Sequence, residues 1–228
     1  MLFVANYKMN GDKSFYEKAN KVIDKLKSKD TVVLCPPFVY MPFFDIKNKN
    51  VFLGSQDICA VENKTSTGQI NAKMLNEFNV RYSIIGHSER REIGETDEIV
   101  SQKVKMAQEN EIIPIVCVGE ENKFSKLDVL TTQVEIALSK AENKEIIFAY
   151  EPIWAIGSGE IPTIERINEA LNLIKKTAEK NGFTVKVLYG GSVNLSNHKE
   201  LKTSVADGFL MGGVSLKLDD FCAIVKGE

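Results

Sequence analysis

Short apolar runs alternate along this chain with longer segments in which apolar residues recur every three or four positions. The runs are rich in Val, Ile, Leu and Phe and are bounded by polar residues, Gly or Pro, which is typical of buried strands. Eight strands are predicted, at Leu2–Tyr7, Thr31–Cys35, Val51–Gly54, Tyr82–Ile85, Ile112–Val118, a run ending at Glu151, Val185–Tyr189 and Gly208–Met211.

The segments between these strands have the spacing of amphipathic helices. The clearest helix places Ile167, Ala170, Leu171, Ile174 and Ala178 on one face. Further helices are predicted from Phe15 to Leu26, Asn71 to Phe78, Ile99 to Ala107, Lys126 to Leu138 and Leu218 to Val225.

Strict alternation of strands and helices favours a parallel sheet, because parallel neighbours need a crossover connection. Eight such units in a chain of this length favour a closed (β/α)8 barrel over an open doubly wound sheet. No linker or low-complexity segment interrupts the pattern, so we expect an α/β fold with one domain over residues 1–228.

Composition narrows the class of protein further. The 228 residues are 43% hydrophobic, and 29 basic residues nearly balance 31 acidic ones, without a basic stripe for nucleic acid. No apolar run is long enough to cross a membrane, and the first residues lack the pattern of a signal peptide. The four cysteines form no CxxC pair, so we expect reduced thiols, no zinc cluster and a cytoplasmic protein; they are Cys35, Cys59, Cys117 and Cys222.

Polar side chains at the carboxyl ends of the predicted strands are the candidates for chemistry, because barrel active sites lie there. Lys8 follows the first strand, His87 the fourth and Glu151 the sixth, so we expect the three to converge. The segment from Ala149 to Gly159 alone fits either a base, Glu151, under a closing cover or a strand that ends in an ordinary turn.

Glycines at the late strand ends suggest a phosphate site. Gly190-Gly191 and Gly212-Gly213 follow the seventh and eighth strands, where backbone N–H groups of barrels commonly bind phosphate. Each pair alone would fit a turn. Two successive pairs, with Gly157 in the segment after Glu151, favour a phosphate site.

The two histidines are expected to differ. His87 fits either a hydrogen-bonded structural residue or a neutral imidazole at a helix start that donates to a substrate oxygen. His198 lies in a polar predicted helix, and we expect it to be solvated.

Six motifs, in this order, resemble the triosephosphate isomerase family over nearly the whole chain. They are Asn6-Tyr7-Lys8-Met9-Asn10, Ile85-Gly86-His87-Ser88-Glu89-Arg90-Arg91, Cys117-Val118-Gly119-Glu120, Ala149 to Gly159, Tyr189-Gly190-Gly191-Ser192 and Gly208 to Lys217. The resemblance implies interconversion of dihydroxyacetone phosphate and glyceraldehyde 3-phosphate, in glycolysis and gluconeogenesis, without a cofactor or metal.

The resemblance also implies roles for individual residues. Glu151 matches the base that moves a proton between two carbons. His87 matches the electrophile that polarises the oxygens of an enediolate. Lys8 matches a cation that offsets negative charge, and Asn6 matches an oxygen-binding amide beside it.

Further matches imply a phosphate grip and supporting groups. The grip is formed by Gly157, Ser192, Gly212 and Gly213. Glu89 matches a carboxylate near Lys8, and Ser88 matches the residue that holds the base while the cover is open. Thr67, in a loop that reaches the partner subunit in this family, implies a homodimer, in which it lies near the partner's Asn6 and Lys8; without the resemblance, a solvated loop would be preferred.

The chain departs from the family pattern at three places. Tyr7 stands where tryptophan is usual, and Gln69 replaces a usual glutamate. In this family, a backbone N–H at the C-terminal end of the cover, its far hinge, donates to the residue that matches Tyr189 and holds the cover closed. In this chain Glu160-Ile161-Pro162 replaces Lys-Thr-Ala at the far hinge, and Pro162 has no N–H to donate. We therefore expect a cover held closed less by that bond and more by Ser192 with Gly159.

Two other functions fit parts of the sequence. Another phosphate-binding barrel, such as a sugar-phosphate or ribosylamine isomerase, would share the late glycines but would have no reason to carry Lys8, His87 and Glu151. A non-catalytic binding member of the family should have lost at least one of those three side chains.

Overall fold

Eight parallel strands pair in sequence order around a closed barrel in a computed structural model, which describes residues 1–62, 65–142, 145–156 and 160–228. Pairing of the first strand with the last closes the ring, with Leu2 opposite Gly208. The α/β barrel prediction is confirmed, and the architecture is that of a TIM barrel. The strands are β1 Leu2–Asn6, β2 Thr31–Cys35, β3 Val51–Ser55, β4 Val80–Ile85, β5 Ile113–Val118, β6 Ile147–Tyr150, β7 Lys186–Tyr189 and β8 Gly208–Met211.

Helices cover the outside of this barrel. Those in the described residues are α1 Lys13–Asp24, α2 Ala72–Asn76, α3 Ser88–Glu92, α4 Asp97–Gln108, α5 Asp128–Leu138, α6 Ile164–Lys180, α7 His198–Leu201 and α8 Leu218–Lys226. Short 3-10 helices occupy Phe38–Phe43, Ile153–Ala155 and Gly213–Leu216. The first of these follows β2 in place of an α-helix, because Pro42 within it cannot donate a backbone hydrogen bond.

Side-chain caps fix the starts of several helices. The side chains of Asp12, Asn71, Thr96 and Thr163 each accept a hydrogen bond from a backbone N–H three residues later, at the start of α1, α2, α4 and α6. Such caps satisfy N–H groups that a helix start leaves without a partner. Each cap therefore sets where the chain turns away from the barrel rim.

The strands are buried on both faces, which divides the core into two layers. Along β1, Leu2 and Val4 pack inside the barrel, whereas Phe3 and Ala5 pack against the helices. Side chains alternate with a period of two along a strand. Asn6 is therefore the next inward residue after Val4, and it lies at the carboxyl end, where the barrel opens.

The structure corrects one expectation from the sequence. His198 begins α7 and is fully buried, with Nδ1 3.1 Å from the carbonyl oxygen of Leu195. Its neighbours Lys199 and Glu200 are exposed, and because of these charges the sequence pattern indicated a helix that is polar on every face. The prediction of a solvated histidine is wrong.

No helix in the described ranges is long and apolar enough to cross a membrane. Within the same residues, no group of three or more His, Cys, Asp or Glu side chains could hold a metal ion.

Tyr7, at the end of β1, occupies an aromatic cluster outside the barrel. Its ring packs edge to face on Phe15 at 5.7 Å and on Tyr16 at 5.5 Å. The Tyr7 hydroxyl is buried and has no hydrogen-bond partner among the described residues, and burial raises its pKa. By contrast, the Tyr16 hydroxyl donates to the carbonyl oxygen of Asn10 at 2.5 Å.

A buried hydroxyl without a partner costs free energy, so its removal should not weaken the fold. We predict that Tyr7→Phe leaves the free energy of unfolding unchanged or raises it by up to about 1 kcal/mol. The matched variant Tyr16→Phe loses a bond and should lower it by about 1 kcal/mol. Urea denaturation measures both values, and a destabilised Tyr7→Phe protein would show that the hydroxyl has a partner.

Candidate active site

A cavity of about 310 Å³ opens at the carboxyl ends of the strands. It brings together side chains that the sequence places far apart, since β1, β4 and β6 all end at this rim. Residues that line it include Asn6, Lys8, His87, Glu151, Ile156, Ser192, Gly212 and Gly213.

Glu151 follows β6 directly and is only 2% exposed. Its backbone N–H donates to the carbonyl oxygen of Val118 at 2.8 Å, which extends the pairing of β5 and β6. One carboxylate oxygen, Oε2, accepts from the backbone N–H of Ser88 at 3.0 Å. The other, Oε1, lies 3.1 Å from Nε2 of His87. Both oxygens of this buried carboxylate are therefore partnered, which a buried charge requires.

Two glycines make room for Glu151. A Cβ atom on Gly119 would lie 1.8 Å from the carbonyl oxygen of Glu151, and one on Gly190 would lie 3.0 Å from its Cγ. Close packing, rather than backbone flexibility, requires glycine at position 119, and at Gly190 it leaves only a tight space beside the Glu151 side chain. Nearby, burial and then the Glu151 carboxylate raise the pKa of the Cys117 thiol, so this cysteine is a protonated neighbour and no nucleophile.

His87 precedes α3 and caps it with its own ring. The imidazole Nδ1 accepts from the backbone N–H of Glu89 at 3.2 Å, so Nδ1 carries a lone pair. A neutral ring then has its proton on Nε2, which points to the Glu151 carboxylate.

Lys8 is held by its neighbours in a constrained backbone conformation, with φ of 50°. Its N–H donates to Oδ1 of Asn6 at 3.0 Å, and its carbonyl oxygen accepts from the Gln56 amide at 2.8 Å. At the far end of the side chain, Nζ lies 2.7 Å from Oε1 of Glu89. The ammonium group is thus fixed at the cavity mouth with its charge partly balanced.

Gln56 also donates to the carbonyl oxygen of Cys35 at 2.9 Å, so it joins the ends of β1 and β2. Sequence reasoning missed this residue. It follows β3 as a polar side chain, and the same test that selected Lys8 and His87 would have selected it if applied to the third strand.

The glycine-containing loops after β7 and β8 form the opposite wall of the cavity. Ser192 lies after β7, and Gly213 begins the 3-10 helix after β8. A Cβ atom on Gly213 would meet no atom within 4 Å, so this position faces open space. Gly157 and Gly159, which the sequence adds to this group, lie outside the described residues.

The Tyr189 hydroxyl has no hydrogen-bond partner in the described part of the chain. It is fully buried beneath Gly191, where a Cβ atom would lie 2.2 Å from the oxygen. Burial raises its pKa, so the phenol stays protonated. Pro162, expected from the sequence to withhold a donor from this oxygen, is buried at the far hinge.

Glu120 ties the start of the segment after Glu151 to the barrel. It is 2% exposed, and its Oε1 accepts from the Tyr150 hydroxyl at 2.8 Å and from the Trp154 ring N–H at 3.1 Å. Arg166, in α6, reaches the same oxygen at 3.4 Å. Sequence reasoning included Glu120 in a motif but gave it no role. The only tryptophan and a carboxylate at a strand end were the available signals.

Thr67 lies away from the cavity of Glu151. It is exposed, on a turn whose next residue, Gly68, has φ of 85°. Gly68 and Gln69 line a second cavity of about 220 Å³, which has Asn6, Lys8 and His87 on its other side.

A barrel with a buried carboxylate, an imidazole and an ammonium group around a glycine-walled cavity defines an acid–base enzyme of the (β/α)8 class. The model of the family described as triosephosphate isomerase matches residues 1–228. The chain is 39% identical to triosephosphate isomerase from Clostridium botulinum, in an alignment that covers 99% of this chain and 98% of that protein. It is 38% identical to the proteins of the same name from Clostridium tetani, over 99% and 95%, and from Ehrlichia chaffeensis, over 100% and 96%. The chain belongs to the triosephosphate isomerase family, and it is an isomerase.

Proposed function

We propose that this enzyme interconverts dihydroxyacetone phosphate and D-glyceraldehyde 3-phosphate through an enediolate, in glycolysis and gluconeogenesis, without a cofactor or metal. The observation that carries the proposal is the contact between the Glu151 carboxylate and Nε2 of His87 in the cavity. The pairing of a carboxylate base with a neutral histidine is established chemistry for this family. Four buried free cysteines support a reducing, cytoplasmic location.

Glu151 is the base of the proposed reaction. Its carboxylate takes a proton from the carbon next to the substrate carbonyl and returns it to the neighbouring carbon. Both of its oxygens are engaged, by Ser88 N–H and by His87. Substrate therefore replaces at least one of these partners when the carboxylate turns toward carbon, and Ser88 holds the base in the waiting position.

His87 and Lys8 stabilise the charge that this proton transfer creates. As the carbon loses its proton, electrons move to the carbonyl oxygen, which becomes an oxyanion. The Nε2–H of a neutral His87 donates to that oxygen and passes it a proton, and the ring then takes the proton of the neighbouring hydroxyl, which becomes the carbonyl of the product. The Lys8 ammonium group offsets the negative charge of intermediate and phosphate. Asn6 supplies an amide at the same end of the cavity, and Glu89 keeps Lys8 in place at 2.7 Å.

The phosphate group lies against Ser192, Gly212 and Gly213 in this proposal, with Gly157 completing the grip. Backbone N–H groups of glycine loops after the last two strands suit an anion. A different phosphate-binding isomerase would use the same wall but would not need Lys8, His87 and Glu151 together. A non-catalytic member would not need to retain all three.

Replacement of Glu151 by glutamine is the direct test of the proposed function. The amide cannot accept the proton, so we expect kcat to fall by about 10³-fold in a coupled assay with glyceraldehyde 3-phosphate. Glu179→Gln is the matched control, since Glu179 is exposed near the end of α6, and it should keep wild-type activity. Full activity of the Glu151→Gln enzyme would refute the assignment of the base.

The proline at the far hinge, Pro162, leads to a second prediction. If Tyr189 latched the cover, loss of its hydroxyl would cost a hydrogen bond at closure, and kcat would fall about tenfold or more. Because Pro162 offers no N–H, we expect Tyr189→Phe to keep kcat within about threefold of the wild type. Steady-state kinetics measures this directly, and a fall of about 100-fold would show that the hydroxyl acts in closure.

A homodimer is also part of the proposal. Met9 is 96% exposed and Val39 is 74% exposed, and apolar side chains this open suit a protein interface. The cavity between Lys8 and Gly68 offers space for the Thr67 loop of a second copy.

Sedimentation analysis tests this assembly. We expect the wild type to sediment at twice the chain mass, with Thr67→Arg shifted toward the single chain and less active, because a bulky charge would enter the interface. A wild-type protein that stays at the mass of one chain at micromolar concentration would refute the dimer.

A further inference from the structure

The loop after β7 that carries Ser192 is followed by a tight turn, Asn194 to Asn197, which leads into α7. Asn197 is only 7% exposed, although an asparagine usually lies at the surface. Burial of an amide is costly unless its polar atoms are paired. The partners of this side chain therefore indicate what it does.

All of the described hydrogen bonds of the Asn197 side chain go to the backbone of the loop. Its Nδ2 donates to the carbonyl oxygen of Ser192 at 3.0 Å. Its Oδ1 accepts from the N–H of Asn194 at 2.8 Å. In return, Oδ1 of Asn194 accepts from the N–H of Asn197 at 3.2 Å. The two asparagines thus clamp the turn, and Asn197 extends the clamp to Ser192.

This clamp fixes the direction of one peptide group in the cavity wall. The carbonyl and N–H of a trans peptide point in opposite directions. Since the Ser192 carbonyl points back to Asn197, the N–H of Val193 points to the other side of the loop. Ser192 and Val193 both line the cavity of Glu151. Among the described residues, neither backbone N–H has an intramolecular partner, so both remain available to an anion.

We propose that Asn197 is a positioning residue that holds the loop at Ser192 and Val193 in the orientation that binds the phosphate group of the substrate. The inference rests on the proposed function for the identity of the substrate. In this role Asn197 makes no contact with substrate and acts through the Ser192 carbonyl.

The test compares substrates with and without the phosphate group. Asn197→Asp keeps the acceptor oxygen but places a carboxylate against the Ser192 carbonyl, and Asn197→Ala removes both side-chain bonds. For both variants, kcat/KM is measured with glyceraldehyde 3-phosphate and with glyceraldehyde, and inorganic phosphate is titrated by calorimetry. Asn50→Asp is the matched control, because Asn50 donates to the Ser28 carbonyl at 2.8 Å at the opposite end of the barrel.

We expect kcat/KM for glyceraldehyde 3-phosphate to fall about tenfold and the Kd for inorganic phosphate to rise by a similar factor. The value for glyceraldehyde should stay unchanged, because that substrate does not use the loop. The Asn50→Asp enzyme should match the wild type in all three measurements.

Equal losses with both substrates would overturn the inference, and so would an unchanged Kd for phosphate. Failure of both variants to fold would overturn it as well, by assigning Asn197 to the stability of α7. A wild-type protein that does not isomerise glyceraldehyde 3-phosphate would refute the proposed function instead. The phosphate titration would still decide the role of Asn197 in that case.

Discussion

The contact between the buried carboxylate of Glu151 and the imidazole of His87 is the constraint on which the rest of the site depends. A carboxylate that is 2% exposed must have partners for both oxygens, and here Ser88 N–H and His87 Nε2 supply them. In the proposed function, the same two bonds hold the base until substrate competes for it.

The barrel creates this contact by bringing the ends of β4 and β6 to one rim. Neither the end of β4 nor the end of β6 could position Glu151 and His87 together on its own. Glu151 needs the space left by Gly119 and Gly190, while His87 needs the N–H of Glu89 to set its tautomer. The loops after β7 and β8 complete the cavity from the other side, so the charge-bearing groups and the glycine wall face each other across it.

The sequence predicted the periodic part of this structure well. Strands such as Thr31–Cys35 and Gly208–Met211 were predicted with the bounds that the structure has, because runs buried on both faces leave a clear signal. Side chains at strand ends, such as Lys8 and His87, could be selected because all parallel strands end at one rim. The long-range partners could not be predicted. The Gln56 bridge between two strand ends and the bonds of Glu120 to Trp154 and Arg166 join segments whose distance the sequence does not reveal. His198 was wrongly predicted to be solvated, because the charged residues beside it masked the buried side of a short helix.

The state of the His87 ring tests the account most directly. Nitrogen-15 NMR distinguishes protonated from unprotonated ring nitrogens, and the chain has only two histidines, so a His198→Gln variant assigns the signals. Near neutral pH we expect a neutral His87 with an unprotonated Nδ1 and a proton on Nε2. An imidazolium with both nitrogens protonated, or a proton on Nδ1, would contradict it, because neither form could accept from Glu89 N–H and donate to Glu151 at once.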